Sequence, residues 1–142
     1  MEDILKKSFV AGLERLIARA DLLDSINVFP IADGDTGRNL SISLIPLRNV
    51  GQPAEKIVHE LLLSARGNSG NIASQFFSAF CTIESINDLA ERAREGKIKA
   101  WQSLNNPRTG TMLDVFDVLA EALPRNLKPD EESVEKVLGS ME

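Results

Sequence analysis

Asp33 and Asp35 flank Gly34 within the run Asn27-Val28-Phe29-Pro30-Ile31-Ala32-Asp33-Gly34-Asp35-Thr36-Gly37-Arg38-Asn39-Leu40. With one glycine between them and Gly37 close behind, the two carboxylates can be turned toward one point, because glycine reaches positive φ without steric cost. Carboxylates aimed together repel unless a cation lies between them. The ligands are hard oxygens and the polar neighbours are Asn27 and Asn39, so the cation that suits the set is Mg²⁺. A calcium loop of the EF-hand type does not fit. Counted from Asp33, its fifth, sixth and twelfth positions would be Gly37, Arg38 and Leu44, where that loop needs a ligand, a glycine and a glutamate. The plainer alternative is an Asx turn entering a helix, with Thr36 or Asp35 as N-cap.

A second polar run, Ser64-Ala65-Arg66-Gly67-Asn68-Ser69-Gly70, separates two apolar helical stretches. Gly67 and Gly70 allow a tight turn, and Asn68 or Ser69 is placed to cap the helix that follows. The free N–H groups of such a helix start attract anions, phosphate above all. It is not a Walker A loop, because no Lys follows Gly70.

Read with a third run, Gly110-Thr111-Met112-Leu113-Asp114, these stretches resemble the nucleotide-binding (DhaL or DAK2-type) domain of the dihydroxyacetone kinase family. In wording they are nearest to the amino-terminal domain of bacterial fatty acid kinases. The resemblance implies an all-helical barrel that binds ADP or ATP with a pair of Mg²⁺ ions at one end. It implies Asp33 and Asp35 as metal ligands and Thr36, Asn39, Gly67, Asn68, Ser69, Gly70, Thr111 and Met112 as nucleotide-binding residues. The kinases carry a third Asp shortly before the pair, whereas Val28 stands five positions before Asp33 here, so Asn27 takes that place as ligand or orienting group. Two departures stand out. Family domains extend further after the Gly-Thr-Met-Leu helix, where this chain has Pro124-Arg125-Asn126-Leu127-Lys128-Pro129 and ends at Glu142, and position 38 is Arg rather than a small polar residue.

These residues must be held by helices, since no segment alternates as a strand does. A long helix is expected over about Asp3 to Leu23, with Leu5, Phe9, Leu13, Leu16 and Ile17 on one face. Others follow from Arg38 to Pro46, from Pro53 to Ser64 and from Ser69 to Ile83, the last apolar nearly all round and therefore central to a bundle. A fifth runs over Ile86 to Leu104, where Gly96 is expected to interrupt it. A sixth starts near Thr111, with Met112, Val115, Phe116, Leu119 and Leu123 at helical spacing, and Glu131 to Leu138 makes a short final one. The fold class is thus all-α, an antiparallel bundle or barrel of six to seven helices. Its ligand site belongs at one end, where helices and loops converge.

The 142 residues suit one domain, which the resemblance implies is shortened relative to the family, with 43% hydrophobic and 26% charged residues. A net charge of −5 argues against nucleic acid as partner, which needs clustered Lys and Arg. No apolar stretch approaches the ~20 residues that span a bilayer, and the mixed-charge amino terminus is no signal peptide. The single Cys81 reads as a buried hydrophobe in a cytoplasmic protein. Trp101 reads as core. Met112 is divided between core packing and purine wall. His59, without companion ligands, belongs at the surface.

Three classes of function follow. One is a kinase subunit using Mg-ATP on a small molecule or acyl group presented by a separate protein subunit. Another is a non-catalytic nucleotide-binding regulator, and the third a helical interaction protein without ligand. Pairing with a second copy is expected if the barrel leaves apolar surface open.

Overall fold

The computed structural model describes residues 1–124, and the expected helix over Glu131 to Leu138 lies outside them. Among the described residues there are seven α-helices and no strand. They are α1 (Asp3–Ala18), α2 (Ala20–Ile26), α3 (Thr36–Leu44), α4 (Ala54–Ser64), α5 (Gly67–Phe80), α6 (Leu89–Gln102) and α7 (Met112–Ala122). Short 3-10 turns at Ile45–Asn49 and Ile86–Asp88 lead out of α3 and into α6.

The long opening helix expected from periodicity is two helices. The chain bends at Arg19 (φ −112°, ψ 12°), which carries no glycine or proline signal. The bend swings α2 against α3, and the contact is so close that a Cβ on Gly37 would collide with backbone atoms of Ala20. Tertiary packing thus overrides the local helical preference.

As its all-round apolarity requires, α5 is central, packing against α3, α4, α6 and α7 and burying Ile72, Ala73, Phe76 and Ala79. It joins two core clusters. One gathers Leu13, Leu40, Leu44, Ile57 and Leu61 from α1, α3 and α4. The other gathers Phe76, Ala93, Ala100, Leu113 and Phe116 from α5, α6 and α7. The Phe76 and Phe116 rings stack at 4.0 Å with 2° between planes, while Phe9 of α1 meets the edges of Phe77 and Phe80.

Gly96 does not interrupt α6. It lies buried inside the helix, and a Cβ there would come within 2.6 Å of the Phe76 carbonyl oxygen, so glycine is what lets α6 approach α5 this closely. Between α1, α3, α5 and α7 remains an apolar hollow of about 570 Å³, lined among others by Leu13, Leu40, Phe77, Met112 and Phe116.

Candidate functional site

Because short connections make α3 to α7 run alternately up and down, α3, α5 and α7 begin at the same end. Each begins in one of the three polar motifs, and each motif carries a glycine at positive φ: Gly34 at 66°, Gly67 at 61° and Gly110 at 76°. The motifs touch. A Cβ on Gly67 would lie 2.5 Å from the Asn39 side-chain nitrogen, one on Gly70 would run into the Ser43 hydroxyl, and one on Gly110 would meet Phe29 at 3.7 Å. Residues far apart in sequence therefore share one end of the bundle, with the positive ends of three helix dipoles.

Asp33 is exposed and Asp35 half-buried. The Asn27 side-chain amide donates to Asp33 Oδ1 at 2.6 Å, fixing one carboxylate. Asp35 occupies the N-cap position of α3, as the plainer reading of the motif expects, yet makes no side-chain capping bond, and Thr36 is the first helical residue. The cap is supplied from elsewhere. Asp24 Oδ1, at the end of α2, accepts from Gly37 N at 2.6 Å and from Arg38 N at 3.2 Å.

The second motif also departs from expectation. Here α5 starts at Gly67, so Asn68 and Ser69 sit in its first turn rather than capping it, and the N-cap residue Arg66 makes no side-chain cap. The turn is held instead by Ser43 of α3, whose hydroxyl accepts from Arg66 N at 2.9 Å and whose carbonyl accepts from the Ser64 hydroxyl at 2.8 Å. In the third motif Thr111 caps α7, accepting from Leu113 N, while Asp114 accepts from Gly110 N at 2.5 Å.

Among the described residues no three His, Cys, Asp or Glu side chains form a group able to hold a metal ion. Two carboxylates with an amide beside them nonetheless suit Mg²⁺, which is commonly held by one or two carboxylates and completed by water and substrate phosphates. Asp24 and Ser43, which hold the starts of α3 and α5, are not among the residues singled out from the sequence. Both act across a dozen or more residues of chain, so no local sequence signal marks them.

Residues 30–142 match the DAK2 domain, a span that takes in the carboxylate pair, the Gly67–Gly70 turn and Thr111. The chain belongs to the DAK2 family. DAK2 domains are nucleotide-binding units of the dihydroxyacetone kinase type; they bind ADP or ATP and work with a partner subunit. The chain is also similar to uncharacterised proteins of Staphylococcus aureus strains bovine RF122 / ET3-1, USA300 and NCTC 8325 / PS 47. Each is 36% identical over 141 residues, covering 89% of this chain and 26% of the relative. The chain therefore spans about a quarter of the length of these curated relatives.

The remaining singled-out residues of this DAK2 chain fall outside the shared end or into packing. Met112 packs against both core clusters and lines the apolar hollow. Trp101 packs on the second cluster while its indole N–H donates to Asp117 at 2.7 Å, and His59 is exposed on α4. Cys81 is buried, and that burial pushes its thiol up to about 11, far from the thiolate a nucleophile needs. No helix among the described residues is long and apolar enough to cross a membrane.

Proposed function

We propose that this chain is the Mg-nucleotide-binding domain of a cytoplasmic kinase, acting as one unit over residues 1–142. It would transfer the γ-phosphoryl of ATP to a small molecule or acyl group presented by a separate protein subunit. The observation that carries the reading is the meeting of a two-carboxylate loop with the starts of α3, α5 and α7 at one end of the bundle. Phosphoryl transfer asks a protein mainly to position groups and neutralise charge. Carboxylates that hold Mg²⁺ and helix starts that face phosphate oxygens are the two halves of that task.

In this reading Asp33 and Asp35 hold the metal, as one ion or a pair, and Asn27 orients Asp33 through their hydrogen bond. The first-turn N–H groups at Gly67, Asn68 and Ser69 take phosphate oxygens, while Gly70, whose own N–H bonds the Arg66 carbonyl, lets the turn pack against Ser43, with Thr36, Asn39 and Thr111 as polar neighbours at the same end. Bound Mg²⁺ would screen the phosphate charge. Arg38 and Arg66, both exposed there, add positive charge. The test is thermal unfolding with ADP or ATP, with and without Mg²⁺, for the wild type and an Asp33→Asn, Asp35→Asn double variant. Ligand at ~100 times its dissociation constant adds about 2.7 kcal/mol. A Mg²⁺-dependent rise lost in the variant supports the site, and its absence in the wild type refutes the reading. Phosphate transfer in the presence of a partner then separates a kinase from a nucleotide-bound regulator.

A further inference from the structure

An aspartate at a helix N-cap ordinarily spends its carboxylate on the helix. Its side-chain oxygen accepts from the N–H of the second or third helical residue, which satisfies an otherwise orphaned donor. In α3 those donors are Gly37 N and Arg38 N, and the residue at the N-cap is Asp35. Both donors are instead taken by Asp24 Oδ1, at 2.6 and 3.2 Å, from the last turn of α2. Asp35 makes no capping bond of its own. The arrangement depends on α2 lying directly against the start of α3, which Gly37 permits because it has no Cβ to meet Ala20.

We propose that Asp24 is a positioning residue of the cation site, capping α3 in place of Asp35 so that the Asp35 carboxylate stays available to the metal. The proposal rests on the Mg-nucleotide reading of the Asp33–Asp35 loop. Its physical content is a competition. Two backbone N–H groups and a cation can each claim the Asp35 carboxylate, and Asp24 removes the first claimant. Without Asp24, Asp35 is already in the right place to turn inward and cap its own helix. The fold then loses little, because one cap replaces another, while the cation loses a ligand.

That competition separates Asp24 from two simpler roles. A merely structural cap, once removed, lowers stability and leaves cation affinity alone. A third metal ligand needs its charge, so the isosteric amide fails as badly as alanine. A positioning cap needs only an acceptor oxygen, which asparagine keeps and alanine lacks.

The experiment measures Mn²⁺ binding in the presence of ADP, by loss of the free-ion electron paramagnetic resonance signal, for the wild type, Asp24→Asn and Asp24→Ala. Ligand-free thermal unfolding is followed in parallel. The expected result is affinity about tenfold weaker in Asp24→Ala, the scale of one lost cap, and within about threefold of wild type in Asp24→Asn, with both variants folded. Equal loss in both variants, or a lowered unfolding temperature with unchanged Mn²⁺ affinity, overturns the proposal while the nucleotide reading stands. A wild type that takes up no Mn²⁺ with ADP overturns both.

Discussion

Replacing Gly37 by alanine tests the α2–α3 contact on which the site's geometry rests. A Cβ built there meets the Ala20 carbonyl oxygen in hard overlap and lies 2.7 and 2.8 Å from the Ala20 carbonyl carbon and Cα, all backbone atoms that no rotamer change can move. Ordinary contact begins near 3.4 Å, so the two helices must part by more than half an ångström. Overpacking of this kind costs about 1–3 kcal/mol. Parting also stretches the 2.6 Å bond from Gly37 N to Asp24, at little further cost because Asp35 at the N-cap takes over the released donor. Alanine's better helix propensity returns about 1 kcal/mol. The expected net loss is about 1 kcal/mol, or ~4 °C in Tm for a domain of this size. The control is Gly12→Ala in α1, where nothing lies within 4 Å of the added methyl and the same propensity gain, about 0.5–1 kcal/mol, goes unopposed. Urea denaturation followed by helical circular dichroism reads both. If Gly37→Ala proves as stable as Gly12→Ala, the close approach of α2 to α3 is wrong.

Other substitutions probe neighbouring claims. Gly96→Ala should cost about 1–2 kcal/mol net in the same denaturation, since its methyl meets the Phe76 carbonyl and a ring held by stacking on Phe116. Thr111→Ala should lose about 1 kcal/mol through the α7 cap, and Thr111→Ser should recover most of it. Iodoacetamide at pH 8 should label Cys81 slowly in the native chain and rapidly in urea, because burial holds the thiol near 11. The same shift fixes a sign. A thiol whose folded pKa is raised stabilises the fold fully below its unfolded value and loses that contribution as pH climbs toward 11, so alkaline titration should lower Tm in wild type more than in Cys81→Ala.

The helices legible in the sequence are those whose signals are local. The all-round apolar run of Ile72 to Phe80 announced a central helix, Pro53 marked the entry to α4, and Thr111 stood at the start of α7, where its side chain caps. The three motifs were visible as polar, glycine-bearing interruptions, and one glycine in each, Gly34, Gly67 and Gly110, holds a positive φ, whereas Gly37 and Gly70 lie inside α3 and α5, where they allow close packing instead. Hidden were the features made by contact. Nothing near Arg19 foretells a bend, because the residue that makes room for it, Gly37, is distant in the chain. Gly96 looks like a helix breaker until Phe76 is placed beside it. Asp24 looks like one more charge on an amphipathic helix, since its two donors follow 13 and 14 residues later.

One feature of α2 bears on how the site behaves in time. This helix buries no residue, and the chain running from it into the carboxylate loop leaves Leu22, Ile26, Val28, Phe29 and Ile31 half or more exposed. A segment with so little apolar burial belongs to the part of a protein that opens by itself, with a free energy well below that of global unfolding. Its amides should exchange with solvent hydrogen long before those of α5, which lies between two cores. Among the described residues the segment that carries the carboxylates is thus expected to open early, and a ligand bridging them to the starts of α5 and α7 would be felt first as slowed exchange over residues 20–38.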